Sequence, residues 1–139
     1  MRRARAGFTL IELLIVVVII GILAAVALPQ LGKARERGFY AALKSDLKSV
    51  QIAQEMYYYK HFRYTDDLEE LGFTPSARVT VSDITLGGAG GNQGWYASAT
   101  HETIGPDEGC VIYDGDIDGP IEEVNASAEK AGVPACAES

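Results

Sequence analysis

The chain has 139 residues, with 12 Lys and Arg against 19 Asp and Glu, and 47% of its residues are apolar. This length suits one folded domain rather than two. From Phe39 onward the balance is 6 Lys and Arg against 17 Asp and Glu, so no direct nucleic-acid binding is expected, because phosphates would be repelled.

Most of the hydrophobicity lies in one segment, Phe8 to Leu28, which has 21 residues and Glu12 as its single charge. At about 1.5 Å per residue, a helix of this length spans roughly 31 Å, the thickness of a bilayer's hydrocarbon core. Apolar runs of 18 or more residues are unusual inside so small a domain. The composition therefore excludes a simple cytosolic domain and favours a membrane-spanning helix over a buried core helix.

Three interpretations of this N-terminus compete. A secretory signal peptide would be cut after Ala27, but its apolar core would run for only about 7 to 15 residues. An uncleaved anchor must explain Glu12, because an unpaired carboxylate deep in a membrane costs about 2.5 to 3.5 kcal/mol. The third interpretation, a processed subunit, supplies a partner for that carboxylate.

Residues 7 to 31, GFTLIELLIVVVIIGILAAVALPQL, closely resemble the N-terminus of type IV pilins. A short basic leader ends in Gly7, Phe8 follows, and Glu12 is the fifth residue after the glycine. The resemblance implies that a prepilin peptidase removes residues 1–7 on the cytoplasmic side and that Phe8 is then N-methylated. It also implies that Glu12 meets the methylated amine of Phe8 in a neighbouring subunit.

The helix is predicted to continue past the apolar run, from about Thr9 to about Tyr59. Pro29 removes one helical hydrogen bond, but apolar residues recur beyond it at spacings of three and four. Residues 8–29 form the transmembrane or filament-core part, and residues 30–60 form an amphipathic continuation. The resemblance implies that the helix loosens between Gly21 and Pro29 in a filament. The apolar stripe of the second part comprises Phe39 or Tyr40, Leu43, Leu47, Val50, Gln54 and Tyr57.

Residues 61–139 are predicted to form a small antiparallel β-sheet head outside the cytoplasm. Strands are expected at 78–86, 95–100 and 110–113, with the glycine-rich residues 87–92 as a hairpin loop and 67–72 as a single helical turn. Together with the long helix this gives an α+β class. The resemblance implies the pilin fold, in which the sheet lies across the second half of the helix.

Cys110 and Cys136 are the two cysteines of the chain and are expected to form a disulfide that closes a C-terminal loop. Disulfides persist in oxidising compartments, so this pair places the head outside the cytoplasm. The charges flanking the apolar run give only a weak preference for a cytoplasmic N-terminus, because three arginines precede it and three basic residues follow it. The latter, Lys33, Arg35 and Arg37, are the basic collar, which we expect to meet acidic heads of adjacent subunits.

The acidic segment after Cys110 offers two further candidate sites. Asp114, Asp116 and Asp118 alternate as in a calcium loop, although Asn125 stands where a closing Glu would be needed, and an ordinary acidic turn is the alternative. Asn125 also begins an Asn-Ala-Ser glycosylation sequon. No motif places a nucleophile beside a base, so catalysis and other cofactors are not expected.

The resemblance implies a structural subunit of a type IV pilus, stored in the bacterial inner membrane as a single-pass protein. A cytoplasmic ATPase of the assembly machinery would drive its polymerisation into a surface filament for adhesion, motility or DNA uptake. Two alternatives stay open: a pseudopilin of a type II secretion system, and a membrane-tethered binding protein that never polymerises.

Overall fold

The computed structural model describes residues 7–117 and 121–137. Within these ranges the chain forms one long helix followed by short strands, as predicted for the α+β class. The elements are α1 (Leu10–His61), β1 (Val79–Val81), β2 (Thr85–Gly87), β3 (Gly94–His101), β4 (Gly105–Gly115), β5 (Ile121–Glu123), β6 (Ala126–Ala128) and β7 (Ala135–Cys136).

The described part of the chain divides into two units, one that ends at Arg35 and one that begins at Glu36. The first unit holds the apolar part of α1, where an 18-residue window has a mean hydropathy of 3.1 and none of it is buried. By length and composition this helix can cross a membrane. In water its apolar side chains would have nothing to cover them within their own unit.

In the second unit, α1 has one face that packs on the sheet and one that faces solvent. Leu43, Leu47, Val50 and Gln54 are buried, and they follow the spacing of three and four that the sequence predicted. Tyr59, the last of three consecutive tyrosines, is exposed. The amphipathic continuation of the helix is therefore confirmed.

The main sheet is antiparallel and contains five strands. Its order is β1-β3-β4-β7, and β2 also pairs with β3. Alternate residues of β3 point toward the helix, with Trp95, Ala97 and Ala99 fully buried beside Ile112 of β4. The alanines are small, so they leave room for the large side chains of α1 to lie close to the sheet.

The β5–β6 hairpin forms a second, two-stranded sheet that packs against the other face of β4. Val111 and Tyr113 of β4 meet Ala126 and Ala128 of β6 in this small core. Alternation along β4 thus serves two cores, with residues 110 and 112 on one side and residues 111 and 113 on the other.

One local prediction was confirmed and one was wrong. Residues 67–72 form a single helical turn, with the Leu71 amide bonded to the Asp67 carbonyl at 3.3 Å, and the side chain of Asp67 caps it by accepting bonds from the amides of Glu69 and Glu70. The predicted strand at 78–86 is split into β1 and β2, both of which pair with β3. The predicted hairpin loop after residue 87 does join β2 to β3.

Candidate functional site

The start of α1 is a capping box built by Thr9 and Glu12. The Glu12 carboxylate accepts hydrogen bonds from the Thr9 amide at 2.8 Å and from the Thr9 hydroxyl at 2.7 Å. The Glu12 amide in turn donates to the Thr9 hydroxyl oxygen at 3.3 Å. Reciprocal bonds of this kind satisfy amides that otherwise lack a partner at a helix N-terminus, and the carboxylate also interacts favourably with the helix dipole.

Gly7 and Phe8 precede the helix, and both are exposed; Phe8 is 87% exposed. The peptide bond between them therefore lies in non-helical chain that an enzyme could reach. Phe8 is also four residues from Glu12, so the two groups implicated in assembly lie at one end of the same helix. The predicted cleavage, the methylation and the pairing of Glu12 with a neighbour's amine stay predictions.

Gly21 and Pro29 both lie within α1. A Cβ atom added at Gly21 would meet nothing within 4 Å, so within the described part of the chain packing does not demand a glycine there. Pro29 lacks the amide hydrogen that would bond the carbonyl four residues earlier. These two residues therefore weaken the helix within its apolar half, and the predicted loosening in a filament stays a prediction.

Two buried polar side chains fasten the second half of α1 to the segment that follows it. The Asp46 carboxylate accepts hydrogen bonds from the amide and the hydroxyl of Ser76, both at 2.8 Å. The Gln54 amide group donates to the Thr65 carbonyl at 2.6 Å and accepts from the Thr65 amide at 3.2 Å. Sequence reasoning placed Gln54 on the buried stripe but could not identify the partners of either residue.

The segment after the helix is also held by hydroxyl and carboxylate groups. Glu70 accepts bonds from the Tyr57 hydroxyl at 2.8 Å and the Thr65 hydroxyl at 2.9 Å, and these two bonds lower the pKa of its carboxyl group. The Tyr64 hydroxyl donates to Glu55 at 2.9 Å. The burial of Tyr64 is the main cause that raises the pKa of its phenol, and the hydrogen bond to Glu55 is the second. Tyr57 near the end of α1 and Tyr64 just after it thus have hydrogen-bond partners within the second unit.

The disulfide between Cys110 and Cys136 is present and joins β4 to β7, as the sequence predicted. The loop that it closes is also bonded to α1. The Lys48 ammonium donates to the Gly132 carbonyl at 2.7 Å, and Gln51 donates to the Asp114 carboxylate. The disulfide and the helix therefore hold the C-terminal loop from two sides.

Two carboxylates of the predicted calcium loop, those of Asp114 and Asp116, accept hydrogen bonds from other groups of the protein. Asp114 accepts from Gln51 and from the Gly115 amide, and Asp116 accepts from the Ala89 amide at 3.0 Å. Asp118 lies outside the described residues. Within residues 7–117 and 121–137, no cluster of three His, Cys, Asp or Glu side chains is arranged to hold a metal. The calcium site stays a prediction.

Asn125 lies in the two-residue turn between β5 and β6. The φ angles of Val124 and Asn125 are 47° and 56°, positive at both turn positions as in the tightest hairpin turns. Asn125 and Ser127 are exposed while Ala126 between them is buried. The sequon is therefore at the surface, and its glycosylation stays a prediction.

Sequence reasoning missed the capping role of Glu12, although the pattern Thr-x-x-Glu before an apolar run was a readable signal. It also missed β5, β6 and β7, which have two or three residues each. Strands this short carry too few alternating positions to be recognised.

Comparison with known proteins adds three findings. Residues 2–28 match the family described as the prokaryotic N-terminal methylation motif. The type IV wide pilus major component PilA4 of Thermus thermophilus is 39% identical over 122 residues, which cover 78% of this chain and 87% of that protein. The type IV major pilin protein PilA of Myxococcus xanthus is 48% identical over 69 residues, covering 50% of this chain and 31% of that protein.

Similarity extends to secretion proteins as well. The type II secretion system core protein G of Pseudomonas aeruginosa is 43% identical over 63 residues, covering 45% of this chain and 44% of that protein. The chain thus spans less than half of the length of the Myxococcus and Pseudomonas relatives, but most of the length of the Thermus relative.

Proposed function

This chain belongs to the type IV pilin family, and on that premise we propose that it is a structural subunit of a type IV pilus. The observation that carries the proposal is the exposed apolar half of α1, which precedes a disulfide-closed head in the same chain. Such a helix is stable in a lipid bilayer, and it loses no apolar burial if it moves from lipid into a bundle of identical helices.

Maturation supplies the docking group. Prepilin peptidase removes residues 1–7, and Phe8 becomes the methylated N-terminus of a mature chain of 132 residues. The positive amine of Phe8 in one subunit then pairs with Glu12 of another. A carboxylate in an apolar bundle is tolerated when it is paired and penalised when it is not, so this pair sets the register of assembly.

Storage and assembly follow from the same division of the chain. Residues 8–29 hold the subunit in the inner membrane with its N-terminus in the cytoplasm and its head outside. An ATPase of the assembly machinery supplies the work of extraction. The disulfide supports the extracytoplasmic placement, because such bonds persist in oxidising compartments.

Two measurements test this proposal. Mass spectrometry of the N-terminus of the purified protein is expected to find methylated Phe8; intact Met1 or a cut after Ala27 would contradict it. Electron microscopy of cells that lack this chain is expected to show loss of surface fibres. Normal fibres in those cells would contradict the role of a main structural subunit.

The similarity to type II secretion core protein G favours a second candidate, a pseudopilin. The pilus and the pseudopilin functions predict different defects in cells that lack this chain. Loss of secreted enzymes together with unchanged surface fibres would favour the pseudopilin, whereas loss of fibres together with unchanged secretion favours the pilus.

A further inference from the structure

A groove of about 950 Å³ opens at one edge of the main sheet, between α1 and the β5–β6 hairpin. The strand β7 runs along it, because β7 is the last strand in the order of the sheet and pairs with β4 on one side only. We name this cavity the edge groove. Its wall includes Arg37 and Lys44 of α1, Ser127 of β6 and Cys136 of β7.

The backbone of Cys136 turns its amide and its carbonyl away from β4. In an antiparallel pair, residues that bond to the partner strand alternate with residues that do not. The Ala137 amide donates to the Gly109 carbonyl at 2.8 Å, and the register places Cys136 opposite Cys110. Residue 137 is thus a bonding position toward β4, and residue 136 is not. One main-chain donor and one main-chain acceptor therefore face the edge groove, where a further strand can pair with them.

The charge of the groove wall is opposite to that of the head around it. From Phe39 onward the chain has 6 Lys and Arg against 17 Asp and Glu, yet among the described residues the groove is lined by Arg37, Lys44 and no carboxylate. Both cations are exposed. The Glu108 carboxylate accepts a hydrogen bond from the Tyr40 hydroxyl at 3.4 Å, so it contacts the wall without pairing with either cation.

We propose that the edge groove binds an extended, acidic peptide segment of another protein, which adds to β7 as one more strand. The peptide residue opposite Cys136 donates its amide to the Cys136 carbonyl and accepts from the Cys136 amide. The side chain of Cys136 lies on the α1 side of the sheet, because it is bonded to Cys110 in the core beneath the helix. Directly opposed residues share a face, so carboxylates at this peptide position and two positions away point toward the cations of α1.

The spacing of the two cations suits such a strand. Arg37 and Lys44 are about 10 Å apart along the helix axis, and carboxylates two to four residues apart in a strand are separated by about 7 to 14 Å. A second copy is a poorer source of the peptide, because each described strand of this chain already pairs within its own head. An acidic polysaccharide has no main-chain amides to pair with Cys136.

Synthetic peptides titrated into the full chain in a neutral detergent test this proposal. The probe is a blocked peptide of alternating valine and glutamate, about six residues long, the usual length of a strand. One control alternates valine and lysine, and a second carries N-methyl groups on the glutamate amides, which keeps the charge but removes the donors. Calorimetry is expected to show saturable binding of the probe and roughly tenfold weaker binding of both controls.

Each contrary result overturns the proposal. Equal binding of the lysine peptide would refute selection for acidic segments, and equal binding of the N-methylated peptide would refute strand pairing. Absence of probe binding up to about 1 mM would refute both. An oligomer of glucuronic acid that binds as tightly as the probe would assign the edge groove to acidic sugars instead.

Two charge-reversal variants locate the binding site. Arg37→Glu with Lys44→Glu is expected to weaken probe binding roughly tenfold, whereas Arg63→Glu with Arg78→Glu, at two exposed positions outside the groove, alters the net charge equally and leaves binding within about twofold. Because all four side chains are exposed, both variants are expected to melt within about 2 °C of the parent chain. Equal weakening by the two variants would overturn the assignment to the groove.

Hydrogen exchange reports on the strand pairing itself. Saturating probe is expected to slow exchange of the Cys136 amide, while the Ala137 amide, already bonded to Gly109, changes little. Unchanged exchange at Cys136 in the bound state would refute the added strand. None of these measurements uses filaments, so failure of the proposed pilus function and failure of this inference are distinguishable.

Discussion

Glu12 has a partner within its own chain before any second subunit is present. Its carboxylate takes both hydrogen bonds from Thr9 on one oxygen, and within the part of the chain that the structure describes the other oxygen accepts none. The two roles are compatible: the capping box fixes the position of the side chain, and the proposed pairing with an amine neutralises its charge. They differ in whether a charge is needed.

Glutamine and alanine at position 12 separate these roles. Glu12→Gln keeps an oxygen that can accept from Thr9, because glutamine also serves in capping boxes, but it removes the charge. Glu12→Ala removes both. We expect filaments to be lost with either variant, as counted by electron microscopy, while N-terminal mass spectrometry still detects processed chains. Normal filaments with Glu12→Gln and none with Glu12→Ala would assign Glu12 to capping alone.

Glu70 gives the head an acid-sensitive contact. Its hydrogen bonds with Tyr57 and Thr65 lower the pKa of its carboxyl group below the ordinary value of 4.5. Because the folded pKa is depressed, the stabilisation is present above pH 4.5 and is lost as pH falls through the folded pKa. Glu70→Gln is therefore expected to flatten the decline in melting temperature between pH 5 and pH 3. An unchanged slope would show that other carboxylates cause the decline.

At the level of elements, α1 is joined to the rest of its unit by polar bonds as well as by the apolar core. Asp46 is 6% exposed, and both of its oxygens accept from Ser76. Asp46→Ala leaves the amide and the hydroxyl of Ser76 without their acceptor. Losing such bonds costs about 1 to 3 kcal/mol. Urea unfolding of the full chain in detergent is expected to show this loss, whereas Ser49→Ala, on the exposed face of the same helix, changes stability by less than about 0.5 kcal/mol.

The disulfide joins two strands that share only two register pairs. Cys110 and Cys136 are 26 residues apart, and closing a loop of this length stabilises the folded state by about 3.5 kcal/mol in the chain-entropy estimate. The double variant Cys110→Ser, Cys136→Ser is expected to lower the unfolding free energy by about that amount. The hydrogen bonds of Lys48 and Gln51 to the same loop are expected to persist in this variant, so the loop should keep part of its protection from hydrogen exchange. Complete loss of protection in the C-terminal segment would show that the disulfide alone holds the loop.

The long elements could be predicted from the sequence, and the short ones could not. The helix from about residue 9 to residue 59 was recognisable because its apolar positions repeat over many turns. The strands β3 and β4 were recognised in part. The strands β5 to β7 owe their form to pairing and to packing on β4, which is tertiary information that two or three residues do not carry.

The candidate site divides in the same way. Gly7, Phe8, Glu12 and the cysteine pair were readable because each is a short pattern with its own chemistry. The exposure of the apolar residues Ile52 and Met56 was not predicted, since it becomes evident only when the sheet is seen to cover the opposite face of the helix. The helical turn at residues 67–72 was readable as well, because Asp67 is suited to the start of such a turn and Gly72 to its end.

For the whole molecule, charge and hydrophobicity are separated along the chain. The apolar part of α1 is followed by the basic collar, and the remainder is acidic. Lys33, Arg35 and Arg37 are exposed, and the ion pair found within residues 7–117 and 121–137 involves other residues, Arg78 and Glu102. The collar is therefore available to carboxylates in the head of another subunit. Without such a contact, the acidic heads of neighbouring subunits would repel one another.

Reversing the collar tests this electrostatic contact against a matched change in net charge. The variant Lys33→Glu, Arg35→Glu, Arg37→Glu is expected to lower filament yield, because it replaces attraction to acidic heads with repulsion. The control reverses Arg63, Arg78 and Lys130, three exposed cations elsewhere in the head, and alters the net charge equally. If total charge were the cause, both variants would lose filaments to the same extent. Salt dependence distinguishes the collar contact from an effect of total charge. The Debye length falls from about 10 Å at 0.1 M to about 3 Å at 1 M, which screens both attraction and repulsion. Raising NaCl should therefore reduce the yield of parent filaments and restore part of the yield of the collar variant.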